Sequence, residues 1–325
     1  TIARFERETG IKVTYDVYDS NEMLDAKLRT RRSGYDLVVP SASPFLAQQI
    51  PAKLFQPLER GKLPNYRNLD PAIMAQLARS DPGNRFAVPW MVGTTGIGYN
   101  VDKIKAIMPD APVGSLKMLF DPGIVQRFAG CGVTILDSPT DVFPAALTYL
   151  GVDPDSQSEA DLQKAADALG KIRRAVRKWD SANYINALAN GDSCLVVGYS
   201  GDVKQAAKRA AEANRGVKIR YSIPSEGGQL GIDVWAIPVD ARNADNAHRF
   251  IDFVLRPEIA AQNTNAVGYA NAVPASLPMV DAAIRDDPGI YPTEEARKRL
   301  YSVSPPSRAF ERARTRAWTR VTTGR

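Results

Sequence analysis

The chain opens with a helical hydrophobic pattern that is followed by an extended one. Residues 1–10 place Ile2 and Phe5 on one face of a short amphipathic helix, and Gly10 is a typical helix stop. Residues 11–17 alternate between apolar and polar positions, which predicts a strand. The pattern therefore begins as a helix and continues as a strand.

The same rhythm continues through the next forty residues. The pair Asp19 and Ser20 predicts the cap of a second helix, 36–40 predicts a short buried strand, and 45–50 predicts a third helix. A β-α-β-α order of this kind gives parallel strands with crossover helices. Ligands of such sheets bind beyond the carboxyl ends of the strands, and the turn at 40–43 lies at such an end.

A long extended stretch then separates two α/β regions. Residues 86–101 exceed the usual strand length of about 5–6 residues and contain glycines. We interpret this stretch as a segment that crosses from one lobe to another. The alternative is two strands with a turn at Gly93. Residues 102–222 are predicted to form the second α/β unit, followed by a further strand, a helix and a helical, basic tail.

These regions contain the remaining predicted elements. The predicted helices are 138–150, 158–179, 202–214 and 244–255, the predicted strands are 133–136, 193–198 and 231–238, and the tail begins at Val273.

A length of 325 residues favours two domains. The hydrophobic content of 44% is typical of a globular protein. No apolar run is nearly as long as the about 18 residues that a membrane-spanning helix needs.

The few histidines and cysteines restrict the chemistry. His248 is the single histidine and there are two cysteines, so a four-ligand Cys/His zinc site is excluded. A His-based triad would depend on His248 alone. Cys131 and Cys194 each stand beside a predicted strand, and their spacing leaves open either a disulfide or two buried thiols. We therefore expect no metal site of this kind.

Three aspartates stand out as candidate binding residues. Asp233 interrupts an apolar strand, where Asp is disfavoured and costly to bury. It either faces a cleft and awaits a cation, or pairs with Arg or Lys at a sheet edge. Asp141 stands at the third position after Ser138, which predicts a helix cap. Asp202 likewise predicts an N-cap, beside an aromatic residue, Tyr199, at a strand end.

The chain is basic, with a net charge of +6. Its basic runs lie at 29–32, at 173–178 and in the tail from Arg308 to Arg320. Nucleic-acid binding is the functional alternative, but no aromatic residues are interleaved as stacking platforms, which favours a solvated surface. Charges beyond a Debye length of about 8 Å are screened, so nearby carboxylates dominate the field that a ligand meets.

Several segments in fixed order resemble one family over essentially the whole chain. The chain is similar to the periplasmic polyamine-binding proteins of ABC importers, and especially to the putrescine-binding members, at 5–13, 35–41, 94–100, 184–192, 288–292 and 314–319. The resemblance implies an α/β fold of the two-lobed periplasmic-binding-protein type (type II). Each lobe is a mainly parallel sheet flanked by helices, and hinge segments join the lobes. It divides the chain into 1–93 plus 223–272 and 94–222 plus 273–325.

The resemblance also implies a ligand site enclosed between the lobes. In that family's arrangement Asp141 takes one ammonium group, Asp202 and Asp233 surround the other, and aromatic rings cover the alkyl stem. The ligand-binding residues that it implies are Ser41, Asp141, Tyr199, Asp202, Asp233 and Tyr269. It further implies a disulfide between Cys131 and Cys194, which an oxidising periplasm permits.

Three departures from the family accompany this likeness. The family's first strand and its Trp-Ser-x-Tyr segment are expected before Thr1, so we expect the given chain to be a truncated one. Gly231 replaces an aromatic residue and Asp141 replaces a glutamate, and both changes enlarge the expected cleft.

The implied function is that of a receptor in the periplasm. The receptor is a monomer that binds a polyamine, with putrescine as the favoured ligand, and delivers it to a membrane permease. It uses no cofactor, binds no nucleic acid, and makes or breaks no bond. Spermidine, agmatine and cadaverine are the alternative ligands. A basic nucleic-acid-binding protein and a glycoside hydrolase with paired carboxylates are alternatives of other classes.

Overall fold

The computed structural model describes residues 1–18 and 21–324, so Asp19 and Ser20, the predicted cap of the second helix, lie outside the described residues. The α-helices are α1 (Ile2–Thr9), α2 (Asn21–Arg29), α3 (Ala47–Gln49), α4 (Pro71–Leu77), α5 (Val101–Ile107), α6 (Lys117–Phe120), α7 (Pro122–Val125), α8 (Pro139–Tyr149), α9 (Glu159–Ile172), α10 (Tyr184–Asn190), α11 (Ser200–Glu212), α12 (Ala244–Val254), α13 (Pro257–Val267), α14 (Ala282–Arg285), α15 (Glu294–Arg297) and α16 (Arg308–Thr323).

The strands are β1 (Ala87–Asn100), β2 (Val133–Ile135), β3 (Val176–Trp179), β4 (Leu195–Tyr199), β5 (Ile219–Ser222), β6 (Gly228–Ala236), β7 (Ala270–Asn271) and β8 (Leu300–Tyr301). Short 3₁₀ helices lie at Arg60–Lys62, Pro64–Asn68, Gln126–Cys131, Arg173–Ala175 and Pro274–Met279, and a π-helical turn lies at Ala42–Leu46.

The chain divides into two compact units. Unit 1 comprises Thr1–Val92 and Gly231–Asp286, and unit 2 comprises Gly93–Leu230 and Asp287–Arg325. The sequence-based division placed the second and third boundaries earlier in the chain, after residues 222 and 272. The start of β6 lies in unit 2 because Gly228 and Gln229 pair with β8. Residues 273–286 lie in unit 1, where Val273 is buried in a core cluster.

Unit 1 begins with the predicted amphipathic helix. Helix α1 buries Phe5, and Gly10 ends it in the left-handed conformation with a φ of 73°. The strand predicted at 11–17 is wrong, since the structure assigns none of these residues to a strand. The backbone N–H of Val13 instead donates to a carboxylate oxygen of Glu6 at 2.9 Å. Alternation alone does not make a strand when the segment's backbone hydrogen bonds go elsewhere.

The strand predicted at 36–40 is reduced to isolated pairing. Val38 bridges Ala236 and Ser41 bridges Asp233, both antiparallel, so the parallel order expected here is wrong. The helix expected at 45–50 is present as the π-helical turn and α3. A core cluster built around Val38, Leu24 and Val234 holds β6 against these segments.

Unit 2 contains a mixed sheet in the order β3-β2-β4-β1. Strand β2 is parallel to both β3 and β4, whereas β4 and β5 are antiparallel to β1. Residues 87–100 form one continuous strand with Gly93 inside it, and the unit boundary falls between Val92 and Gly93. The interpretation as a crossing segment is therefore confirmed, and the alternative with a turn at Gly93 is wrong.

The helix predicted at 158–179 is too long. Helix α9 ends at Ile172, a 3₁₀ turn follows, and Val176–Trp179 form β3 in parallel pairing with β2. The basic side chains of this segment fit a helical pattern, so the sequence predicted a helix where the structure has an edge strand. The tail is only partly helical, and its main helix, α16, buries Phe310, Ala317 and Trp318 in the core of unit 2.

A disulfide joins Cys131 and Cys194 with a Cα–Cα distance of 5.6 Å. This confirms the pairing that the family resemblance implied. Among the described residues, the structure contains no helix with the length and apolar character that crossing a membrane requires.

Candidate functional site

Three candidate residues of unit 2 come together at one edge of its sheet. Strands β2 and β4 are parallel neighbours, so their carboxyl ends meet at the same edge. Helix α8 begins just after β2 and carries Asp141, and α11 begins directly after β4, which ends at Tyr199, and carries Asp202. The topology therefore brings Asp141, Tyr199 and Asp202 to one place.

Asp141 is a buried carboxylate that is surrounded by hydroxyl groups. Its side chain is 7% exposed. Thr95 Oγ1 donates to Oδ1 at 2.8 Å, while Ser138 Oγ and Tyr199 OH donate to Oδ2 at 2.6 and 3.0 Å. In the described part of the chain, no lysine or arginine lies within ion-pair distance of Asp141. The carboxylate is thus solvated by neutral donors alone.

The capping role predicted for Asp141 and Ser138 is only partly confirmed. Ser138 occupies the N-cap position of α8 and Pro139 follows it, as expected. However, the Ser138 side chain makes no cap hydrogen bond to the backbone, because its hydroxyl donates to the Asp141 carboxylate. The backbone N–H of Asp141 donates to the Ser138 carbonyl at 3.2 Å. The carboxylate itself is left to bind hydroxyl groups.

Asp202 lies in the first turn of α11, although it is not the N-cap. Tyr199 occupies that position, so the predicted N-cap role of Asp202 is wrong. The hydroxyl of Tyr184 donates to Asp202 Oδ2 at 2.8 Å and accepts the backbone N–H of Tyr199 at 3.0 Å. Tyr199 therefore connects to both acids, to Asp141 through its hydroxyl and to Asp202 through Tyr184.

Burial keeps these two phenols protonated. Loss of solvent contact, followed by the negative charge of Asp141, raises the pKa of Tyr199 well above its usual value. Loss of solvent contact and the charge of Asp202 raise the pKa of Tyr184 in the same way. Both hydroxyls consequently remain hydrogen-bond donors to their carboxylates at neutral pH.

Unit 1 holds a second acidic centre. Ser41 Oγ donates to Asp233 Oδ1 at 3.1 Å. Asn21 in turn fixes Ser41, since its Nδ2 donates to Ser41 Oγ and its Oδ1 accepts the Ser41 N–H, each at 3.0 Å. Burial, and then the charge of Asp233, raise the pKa of Tyr18. The structure thus brings Asp233 and Ser41 together in unit 1, and their role in binding stays a prediction.

The alternation of β6 explains how an aspartate is tolerated in an apolar strand. Ile232, Val234 and Ala236 are buried in the core of unit 1. Successive side chains of a strand point to opposite faces, so Asp233 belongs to the other face. Gly231 shares that face and is exposed. Asp233 therefore lies opposite the buried residues of the strand, on the face that it shares with Gly231 and the half-buried Trp235.

Tyr269 lies between α13 and β7. Helix α13 ends at Gly268, which has a φ of 78°, and Tyr269 follows as a half-buried residue directly before Ala270. Its position in unit 1 is established, and its role in binding stays a prediction.

Sequence reasoning missed the residues that hold the acids in place. Thr95, Ser138 and Tyr184 donate to Asp141 or Asp202, and Asn21 orients Ser41. Ser138 had been predicted only as a helix cap, and the remaining usable signal was the polar pair Thr94 and Thr95 inside the largely apolar β1. Among the described residues, no group of three or more His, Cys, Asp or Glu side chains is placed to hold a metal ion.

Comparisons with known proteins agree with this architecture. The sequence profile of the bacterial extracellular solute-binding proteins matches residues 1–293. The putrescine-binding periplasmic protein of Escherichia coli (strain K12) is 48% identical over 327 residues, covering 100% of this chain and 88% of that protein. The putrescine-binding periplasmic protein of Pseudomonas aeruginosa (strain UCBPP-PA14) is 49% identical over 326 residues, covering 100% of this chain and 89% of that protein.

A solved structure is similar over almost the same length. It is the spermidine/putrescine ABC transporter substrate-binding protein of Streptococcus pneumoniae, with a TM-score of 0.82 and 25% identity, covering 99% of this chain and 94% of that chain. The predicted α/β fold of the type II periplasmic-binding-protein class is therefore confirmed.

Proposed function

The chain belongs to the bacterial extracellular solute-binding proteins, and from that premise we propose that it is a periplasmic receptor for a polyamine. Putrescine is the ligand that we favour, and the receptor delivers it to the membrane permease of an ABC importer. Members of this family bind solutes, so the chain acts by binding and release and is not an enzyme. The similarity of nearly half of all positions to putrescine-binding proteins supports this choice.

The observation that carries the proposal is the environment of Asp141. An ionised carboxylate offers about four acceptor sites, and three hydroxyl groups already occupy three of them. A buried charge without a counter-ion is costly, by several kcal/mol in real proteins. An ammonium group would take the remaining site in a charge-assisted hydrogen bond and neutralise the charge. Asp141 is therefore suited to one end of a diamine.

The residues beside Asp141 suit the rest of such a ligand. Asp202 adds a second negative charge in unit 2, and Tyr199 lies between the acids through its hydrogen-bond connections. An aromatic face covers alkyl groups and attracts a nearby cation by about 0.5–2 kcal/mol. These three residues offer both charge and apolar surface.

In unit 1, Asp233 is a further carboxylate for an ammonium group. Ser41 donates to one of its oxygens, and Asn21 fixes Ser41. The hydroxyl holds the carboxylate in one orientation without neutralising it. We therefore assign Ser41 and Asp233 to the ligand, and Tyr269 as an aromatic contact, on the strength of the family resemblance and this geometry.

A thermal-shift series tests the function directly. The wild-type protein should be stabilised by putrescine, since a ligand at about 100 times its dissociation constant adds about 2.7 kcal/mol. Cadaverine, agmatine and spermidine complete the panel and rank the alternative ligands. Asp202→Asn and Asp233→Asn should each abolish the shift while the unliganded proteins stay folded. Asp110→Asn, which removes one charge at an exposed position, is the matched control and should respond like wild type.

Two results would contradict the proposal in different ways. If no member of the panel stabilises the wild-type protein, the polyamine function is wrong. If the wild-type protein responds and both acidic variants respond equally, the function stands but the assignment of Asp202 and Asp233 is wrong.

The proposal includes a monomeric receptor without a nucleic-acid partner. In the basic run at 173–178, Arg173 donates to the carbonyl of Thr323, and Arg177 donates to the carbonyls of Asp192 and Gly130. These guanidinium groups support the fold, which disfavours a nucleic-acid surface. Retention on DNA should be weak and should vanish at physiological salt. Sedimentation of the protein should give a single monomeric species, and a stable dimer would contradict this part.

A further inference from the structure

One buried hydroxyl group connects the acidic residues of unit 2. Tyr184 is the first residue of α10 and is 1% exposed. Its hydroxyl donates to Asp202 and accepts the backbone N–H of Tyr199, whose own hydroxyl donates to Asp141. Tyr184 therefore links Asp202 to the backbone of Tyr199, and the side chain of Tyr199 reaches Asp141.

The ring that carries this hydroxyl is held by its packing. Gly198 in β4 lies directly under it, since a Cβ placed on Gly198 would lie 2.6 Å from Tyr184 Cε2 and 3.3 Å from its hydroxyl oxygen. The start of α10 is fixed as well, because Asp180 Oδ1 accepts the N–H groups of Ala182 and Asn183 at 2.9 and 2.8 Å. The ring of Tyr184 is thus packed closely against Gly198, at a helix start that hydrogen bonds hold.

We propose that Tyr184 is a positioning residue for the polyamine receptor, which sets the orientation of the Asp202 carboxylate and of Tyr199 without contacting the ligand. The inference rests on the proposed function. A fixed carboxylate loses no side-chain freedom when the ammonium group arrives, so its orientation contributes to affinity. The Tyr184 phenol is protonated at neutral pH and burial raises its pKa further, so its hydroxyl presents a donor to Asp202.

Tyr184→Phe tests this role, because it removes the hydroxyl and keeps the ring. We expect putrescine affinity, measured by titration calorimetry, to fall about tenfold, which corresponds to about 1.4 kcal/mol. Tyr221→Phe is the matched control. It removes another buried hydroxyl of unit 2, one that donates to the Thr94 carbonyl at 2.8 Å and has no carboxylate partner among the described residues. Its affinity should stay within twofold of wild type.

A pH series separates positioning from a general loss of structure. Removing a hydrogen-bond donor from a carboxylate raises its pKa. Among the described residues, the titratable groups seen to face Asp202 are Tyr184 from α10 and Tyr199 from the end of β4, with Asp141 of α8 beyond Tyr199. On acidification, the affinity of Tyr184→Phe should therefore begin to fall at a higher pH than that of wild type. A purely structural role would lower the affinity by the same factor at every pH.

Each outcome decides between the two proposals. If the wild-type protein binds putrescine and Tyr184→Phe binds within twofold of it, the positioning role is overturned and the proposed function stands. The positioning role also fails if Tyr221→Phe loses as much affinity as Tyr184→Phe. If the wild-type protein binds no polyamine, the proposed function itself fails.

A second variant covers the case in which Tyr184→Phe does not fold. Gly198→Ala keeps the hydroxyl and displaces the ring that carries it. It should weaken binding with the same pH shift, and unchanged affinity in this variant would overturn the positioning role.

Discussion

The disulfide of unit 2 allows a quantitative stability prediction. It joins Cys131, just before β2, to Cys194, just before β4, and these two strands are parallel neighbours. The cysteines are separated by 63 positions in the sequence. In the chain-entropy account, closing a loop of that length in the unfolded chain is worth about 4 kcal/mol. Replacing both cysteines by alanine should lower the free energy of unfolding by about this amount.

The assay is urea unfolding followed by far-ultraviolet circular dichroism, with and without a thiol reductant. The reductant should lower the unfolding midpoint of the wild-type protein towards that of the double variant, and should leave the double variant unchanged. Equal midpoints for the two proteins under oxidising conditions would refute the reasoning. A reductant effect of the same size in the double variant would refute it as well.

Two further predictions concern the packing and protonation of unit 2. Burial raises the pKa of Tyr184 and of Tyr199. Their contribution to the free energy of unfolding should therefore be fully present below the usual tyrosine pKa near 10 and should fall as the pH rises above it. The reason is that the unfolded chain loses its phenolic protons first. The absorbance change that belongs to Tyr184, taken as the difference between the wild-type protein and Tyr184→Phe, should then accompany the loss of ellipticity, and its appearance in a protein that is still folded would contradict this. Gly98→Ala should cost about 1–3 kcal/mol by overpacking. Its Cβ would lie 2.7 Å from Val203 and 2.8 Å from Val196, and an unchanged urea midpoint would contradict this.

The sequence pattern predicted elements well where their signals are local. Helix α1 shows an apolar stripe and a terminal glycine, and both its existence and its end are confirmed. Helix α8 begins where Ser138 and Pro139 predicted it. The long strand β1 was recognised from its length and apolar character.

Elements whose hydrogen bonds depend on distant partners were less predictable. Residues 11–17 alternate like a strand, yet Val13 bonds to Glu6 in the preceding helix. Residues 176–179 are rich in basic side chains and continued a helical pattern, yet they pair with β2 as an edge strand. A strand forms only where a partner strand lies, and local alternation does not contain that information.

The candidate site shows the same difference between features with a local signal in the sequence and contacts that depend on distant residues. The aspartates were conspicuous in the sequence because they stand at strand ends or inside a strand. Their contacts with hydroxyl groups could not be predicted, since Thr95 lies 46 positions from Asp141 and Tyr199 lies 58 positions from it. Only the sheet order brings these residues together. Tyr184 had no signal of its own, because its function depends on Gly198 leaving space for the ring.

Putrescine binding to the wild-type protein and to Asp141→Asn, measured side by side by titration calorimetry, tests the account most directly. Losing one partner of a buried charge pair costs about 2–5 kcal/mol, so the variant should bind at least about thirtyfold more weakly. The unliganded variant should stay folded, as far-ultraviolet circular dichroism checks, because Asn keeps the size of the side chain and removes a buried charge that has no cation beside it. Equal affinities in the two proteins would contradict the assignment of Asp141 as an ammonium-binding carboxylate.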